Sequence, residues 1–163
     1  MASRREEVRG KEMMERTCII IDSREQEPFT FDPVRVETQR SALSAGDYSL
    51  AGYEHRVGVE RKAMDDFVNT VIRSRRRFAA ELERLRQLEF ACVVVEGSLS
   101  DVFARRYRSG ANPASVFGAT ISIIVDHGIP VFFCGDRQVA CRFTQDYLLR
   151  VHQHINEADN AES

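Results

Sequence analysis

The chain has 163 residues, 43% of them apolar and 29% charged, enough for one domain with a real core and a well-solvated surface. A formal charge of -2 excludes a protein that coats polyanions indiscriminately, so any contact with nucleic acid must come from a local patch. No apolar run approaches the roughly 18 residues needed to span a membrane, and the charged opening MASRREEVRGKEMMER lacks the hydrophobic segment of a secretory signal, so a cytoplasmic protein is expected. Cys18, Cys92, Cys134 and Cys141 lie in or beside apolar segments without the two-residue spacing of a zinc or redox motif, and read as reduced thiols.

Strands and helices alternate along the chain. TCIIID reads as a buried strand ending at Asp22, and VRVET as a weaker strand after the loop from Pro28 to Pro33. Tyr48, Leu50, Val57 and Val59 alternate with polar neighbours and predict a hairpin turning over Gly52 to His55. Met64, Phe67, Val68 and Val71 recur at helical spacing behind Asp65 and Asp66, and Phe78, Leu82 and Leu85 mark a second helix. FACVVVEG is a short continuous apolar run, as in a central strand covered on both faces. SLSDVFARRY predicts a helix, and NPASVFGATISIIVDHG another, with Asn112 as N-cap, Pro113 in the first turn and Gly128 as the stop. IPVFF is a further strand, followed by an amphipathic helix from Arg137 to about Ile155. The acidic end, with Glu157, Asp159 and Glu162, is expected to be a frayed tail. No internal repeat, low-complexity segment or second-domain boundary is visible.

The hairpin carries the chemistry. Centring its turn between Tyr53 and Glu54 sets Tyr48 opposite Val59 and Leu50 opposite Val57 on one face. The same register sets Asp47 across from Glu60 on the other face, which the apolar residues do not use, and alternation brings Lys62 alongside. Two carboxylates and an ammonium so placed can hold a divalent cation and act on a phosphodiester. On spacing alone, a Gly-Asp turn with a surface salt bridge from Glu60 to Lys62 or Arg61 accounts for the same residues.

A local basic patch also exists. From Arg73 to Arg86 there are six arginines against two glutamates, Glu81 and Glu83, and Arg105, Arg106 and Arg108 form a second cluster. Arg73, Arg75, Arg76 and Arg77 outnumber their local partners and are expected to contact DNA phosphates, which positions a duplex without reading sequence. Helix-face pairs of Glu81 with Arg77 and with Arg84 are the ordinary alternative. The histidines suggest no metal site: His152 and His154, two apart on a helix, face different ways.

The ordered series IIIDSRE, GDY, VERKAMDDF, RRRFAAELERL and VVVEG resembles the nuclease domain of the XPF family of structure-specific endonucleases, from about Thr17 to Leu149. The resemblance implies an α/β fold of the restriction-endonuclease-like type, a single domain with a mixed central sheet flanked by helices. It sets a flexible segment at residues 1–16, the nuclease domain at 17–156 and an acidic disordered tail at 157–163.

Position by position, the resemblance implies that Asp47 and Glu60 ligate Mg2+ or Mn2+ directly and that Asp22 assists. Lys62 would handle the attacking water or the phosphate. Arg61 would lend its backbone carbonyl to the metal and its side chain to the site, and Arg24 and Glu25 would touch the scissile phosphate. Asp66, by strict count, and the adjacent Asp65 would either sit behind the ligands or serve the helix start. Asp22 could instead cap its turn, Arg24 could pair with Asp22 or Glu25, and Glu96 reads as a structural strand end.

The expected activity is metal-dependent hydrolysis of DNA at branches, flaps or junctions, in repair, recombination or mobile-element processes. The alternative is a non-catalytic DNA-binding or scaffolding subunit. Many relatives carry a tandem helix-hairpin-helix domain after the nuclease domain and some a helicase domain before it; the match leaves room for neither. A homodimer, through the apolar surplus at Val116, Phe117, Ile121, Ile124 and Val125, or another protein would then supply DNA grip.

Overall fold

The structure, a computed structural model, describes residues 15–163. Most of the N-terminal segment assigned to residues 1–16 therefore lies outside the described residues. The strands are β1 (Thr17–Asp22), β2 (Val36–Ser41), β3 (Tyr48–Leu50), β4 (Val57–Ala63), β5 (Phe90–Glu96) and β6 (Val131–Phe133). The helices are α1 (Met64–Arg73), α2 (Arg75–Arg86), α3 (Leu99–Phe103), α4 (Pro113–Asp126) and α5 (Arg137–Ala161). The six strands form one mixed sheet in the order β2-β1-β3-β4-β5-β6, parallel at β1/β2, β4/β5 and β5/β6 and antiparallel at β1/β3 and β3/β4. This is the mixed, helix-flanked sheet expected from the motif series.

Side-chain alternation decides which layer each strand residue supports. Val57, Val59, Cys92 and Val94 join Ile19, Ile21, Tyr48 and Leu50 beneath α5. Val93 and Val95 turn the other way, into a second core with Phe67, Val71, Phe78 and Leu82 beneath α1, α2 and α4. That double coverage is why β5 is apolar without interruption. It also closes the face that the hairpin's own apolar residues do not use: Ser49 is fully buried, and Glu60 keeps only 8% of its surface exposed.

Tyr48 pairs with Val59 as expected. The expected second pair, Leu50 with Val57, is absent from the ladder, while on its other edge Leu50 pairs with Ile19 of β1. The turn is wider than expected: the Tyr53 N–H donates to the Leu50 carbonyl, the Val57 N–H to that of Tyr53, and the Ser49 hydroxyl to the Val57 carbonyl at 2.6 Å.

Three other boundaries differ from the sequence reading. β2 starts at Val36 because Asp32 organises a turn, accepting the Val34 N–H on its side chain and the Val36 N–H on its carbonyl. α3 stops at Phe103, where Arg105 takes a left-handed φ of 55° and the chain leaves the helical path. α5 continues to Ala161, so residues 157–161 extend the helix rather than fray, supported by Gln153 donating to Glu157 four residues on. At α4 the expected signals hold: the Asn112 side chain accepts the Ala114 N–H, Pro113 opens the helix, and Gly128 (φ 66°) follows its end.

Gly46 positions the site. It has a φ of 77°, and a Cβ there would stand 3.1 Å from the Val59 backbone. Gly46→Ala should therefore cost on the order of 1–3 kcal/mol, combining strain with displacement of β4. Thermal melts should show a fall of roughly 2–4 °C per kcal/mol lost. Gly118→Ala, in open space on α4, should leave the midpoint unchanged or slightly higher.

Candidate active site

β1, the residue just before β3, and β4 deliver acidic residues to one end of the sheet through backbone pairing. The Asp22 N–H donates to the Asp47 carbonyl at 2.8 Å, and the Asp47 N–H to the Val59 carbonyl at 2.8 Å. The Asp47 carboxylate then accepts the Arg61 N–H at 2.8 Å, which locks its orientation against β4. Asp22, Arg24, Glu25, Asp47, Glu60, Arg61 and Lys62 all line one polar cleft of about 510 Å³. A larger hollow of about 960 Å³, between Phe29 and the start of α5, gathers none of the paired acids. The cleft is therefore the chemically meaningful site.

Its electrostatics are strained. Burial pushes the Asp47 carboxyl up to about 6, against the pull of the Arg61 N–H. Burial and then the Asp47 charge push Glu60 up to about 8. The Lys62 ammonium stands 3.4 Å from Glu60 Oε1 and 3.8 Å from Glu81 Oε2. Burial alone would lower its pKa, but Glu60 and then Glu81 raise it above the ordinary lysine value, so it is a cation and a donor at neutral pH. Two carboxyls, both with raised pKa values, beside one ammonium are an electrostatic demand for positive charge.

Asp22 is nearby but occupied. Its carboxylate accepts the Leu43 N–H at 2.9 Å and the Arg24 guanidinium through Nε at 2.9 Å. Burial alone would raise its pKa, but these bonds outweigh burial and lower it. Arg24 itself is largely exposed at the rim, 74% by side chain, so it combines the expected pairing with access to a ligand.

Arg61 points to the other side of β4 from Glu60. Its guanidinium bonds Glu25 at 3.2 Å and Glu96 at 2.7 Å, and lies 5.8 Å from the Phe29 ring centre. Glu96 also accepts from Arg137 at the start of α5, and Arg137 donates on to the carbonyls of Glu27 and Pro28. Glu25 is thus spent on Arg61, which holds its carboxyl below the usual range although burial acts in the opposite direction. The Arg61 and Glu25 side chains work here as a clamp on the loop after β1.

The arginine cluster does not form one track. Arg77 lines the cleft, Arg75 and Arg76 line a separate hollow between α2 and α4, and Arg73 ends α1. The two adjacent aspartates divide as well. Asp66 lines the cleft, whereas Asp65 accepts the Arg108 N–H at 2.8 Å and pins the loop after α3. Neither caps α1 as its N-cap residue, which is Ala63.

Glu81 was missed as a site residue. Its spacing from Arg77 and Arg84 suggested helix-face pairs, yet among the described residues its ion pair is with Lys62. Asn69, Thr70 and Ser74 also line the cleft, and nothing in their spacing announces it. Among the described residues no three His, Cys, Asp or Glu side chains close into a ready-made metal cage. The donors on offer are the Asp47 and Glu60 oxygens, a hard pair suited to an oxygen-loving cation.

Because folding raises the pKa of both carboxyls, protonation favours the folded state. Their contribution is most favourable below the ordinary range near 4 and is lost as pH rises through about 6 for Asp47 and about 8 for Glu60. Glu60→Gln should flatten this decline and raise the melting midpoint at pH 8. Each unit of relieved shift is worth about 1.4 kcal/mol, or roughly 2–4 °C. Melts of both proteins from pH 5 to 9, without divalent ions, check this.

Known proteins match this fold and motif set. The ERCC4 domain model matches residues 21–147. Over 133 residues the chain is 32% identical to a Methanocaldococcus jannaschii protein that bears the name of an ATP-dependent RNA helicase, covering 82% of this chain and 15% of that protein. Over 101 residues it is 31% identical to the 3'-flap repair endonuclease Xpf of Saccharolobus solfataricus, covering 60% of this chain and 39% of that one. The chain thus spans well under half the length of these curated relatives. Two solved structures of XPF from Aeropyrum pernix, one in complex with DNA, superpose with TM-scores of 0.65 each. They are 22% and 24% identical, covering 88% and 85% of this chain and 69% and 66% of theirs, and they establish the shared fold. Residues 21–147, most of the chain, match a single domain family, and so the protein belongs to the ERCC4 domain family, the XPF-type nuclease domain that its ordered motifs resemble.

Proposed function

We propose that the chain is a metal-dependent endonuclease that hydrolyses phosphodiester bonds in DNA at flaps, forks or junctions. The observation that carries this reading is the half-buried Asp47 and the buried Glu60, whose pKa the Asp47 charge raises, with Lys62 beside them in a polar cleft. Those two carboxylates would hold Mg2+ or Mn2+, since oxygen-only donors suit a hard cation. Asp22, already accepting from Arg24 and Leu43, would assist from beside them. When bound, the cation would supply Lewis-acid activation of the phosphate and of a water.

The chain's own groups do the rest. Lys62, held protonated in the cation-free site, donates to a non-bridging phosphate oxygen or orients the attacking water. Arg24 at the rim and Arg77 on the cleft wall neutralise flanking phosphates. The Arg61 clamp keeps Arg24 in place through Glu25, so Arg61 acts on substrate indirectly.

Flap or branched DNA is favoured by similarity to the Saccharolobus solfataricus flap endonuclease and to an XPF whose solved structure contains DNA. Processing such structures belongs to repair or recombination. On α4, Ile121, Ile124 and Val125 are exposed, and Phe103 packs on Phe117 beside them, which supports a homodimer through this face; Val116 is core and takes no part.

The test is incubation of purified protein with labelled flap, fork, junction, duplex and single-stranded DNA, in Mn2+ or Mg2+ and in chelator. Cleavage of the branched substrates should require the cation and fall about 100-fold or more in Asp47→Asn and in Lys62→Ala. Cleavage indifferent to both substitutions would refute the site, and tight binding without cleavage would favour the scaffolding reading. Cation should also raise the melting midpoint of wild type more than that of Glu60→Gln.

A further inference from the structure

We propose that Glu81 is a positioning residue for Lys62: a second carboxylate, on a different element from Glu60, that keeps the ammonium aimed into the cleft when Glu60 is engaged by a cation. This deepens the nuclease reading and rests on it.

Several observations converge on Glu81. It lies on α2, one turn beyond Phe78, and its side chain is 26% exposed. Its nearest cationic options along the helix are Arg77 and Arg84, which stand at favourable i−4 and i+3 positions. Among the described residues it pairs with neither and turns inward to Lys62, with Oε2 3.8 Å from Nζ. That oxygen is buried and has no hydrogen-bond partner among the described residues. A buried acceptor left unsatisfied is a standing cost, so its presence calls for a task not yet engaged. Its charge already acts on Glu60 and Lys62 alike.

The task follows from competition at Glu60. In this structure Glu60 is the nearer partner of Lys62, at 3.4 Å. A cation taken between Asp47 and Glu60 would claim the same oxygens and repel the ammonium. Lys62 is a long, flexible side chain and would swing out to water unless another anion held it. Phe78 supplies a wall, its ring centre 5.5 Å from Nζ, but only a weak electrostatic hold. Glu81 has an unspent oxygen at the required distance, on a helix that Phe78, Leu82 and Leu85 anchor to the second core. Without the cation Lys62 has two partners, Glu60 the nearer; with it, Glu81 would be the one that remains.

Three variants test this. Glu81→Ala should lower kcat on a flap substrate by about 10- to 100-fold, the range typical of residues that orient a catalytic group, while KM changes by less than about threefold. Glu81→Gln, which keeps the shape and removes the charge, should lose nearly as much. In a Lys62→Ala background, Glu81→Ala should cost nothing further, because the residue acts through Lys62. An undiminished kcat in Glu81→Ala, or a full additional loss without Lys62, would overturn the proposal.

A second readout needs no turnover. Side-chain NMR of the Lys62 ε-methylene should report a rigid group in wild type before and after Mg2+ addition, and one that becomes mobile on Mg2+ addition in Glu81→Ala. Equal order in both proteins with Mg2+ bound would overturn the tether. An inactive wild type would refute the nuclease reading, and the NMR comparison would still decide the role of Glu81.

Discussion

The site depends on one backbone pairing. The Asp47 N–H donates to the Val59 carbonyl, and the Arg61 N–H returns a bond to the Asp47 carboxylate. Together they hold Asp47 across from Glu60. Because strand side chains alternate, a slip of one residue would send Glu60 and Lys62 under α5 and turn Val59 toward the cleft. Tyr48 prevents that slip. It is fully buried, stacks on Phe29 at 5.2 Å between ring centres, and its hydroxyl accepts the Phe29 N–H at 2.8 Å. The core beneath α5 thus sets the register that the opposite face uses.

Burial then turns geometry into chemistry. On an open sheet face, Asp47 and Glu60 would be ordinary ionised carboxylates with a loosely paired lysine. Beneath α1 and α2 both lose water, which raises both pKa values; the Glu25 charge adds to the rise at Asp47 and the Asp47 charge to that at Glu60, so a cation is the natural complement. The cleft is stable in this state because its surroundings are neutralised separately. Asp22 is satisfied by Arg24 and Leu43, while Glu25 and Glu96 are satisfied by Arg61 and Arg137. The unbalanced charge is confined to the residues that face the ligand space.

The same division separates the two neighbours in the ERK segment. Lys62 shares a face with Glu60 and meets Glu81 from α2, whereas Arg61, one residue before it, reaches Glu25, Glu96 and the ring of Phe29. Adjacent cations therefore serve different ends, one directed at the ligand space and the other at the loop that carries Arg24. The arginines of α2 divide likewise, because a helix turns consecutive side chains by about 100° and spreads Arg75, Arg76 and Arg77 over different surfaces.

Local patterns were sufficient wherever one short stretch of chain contains all the determinants. Alternation at Tyr48 and Val59, the apolar run of β5, and Asn112 and Pro113 at the start of α4 each encode their own element, and the facing of Asp47 and Glu60 follows from the first; the mixed helix-flanked sheet was implied by the ordered motif series as a whole. What only the tertiary structure decided is which charge answers which. Glu81 abandons Arg77 and Arg84 for Lys62, Asp65 reaches Arg108, and Arg61 joins Glu25 to Glu96. Those partners are separated by up to tens of residues, and their pairing is selected by packing and desolvation, two quantities that no spacing along a single strand or helix contains.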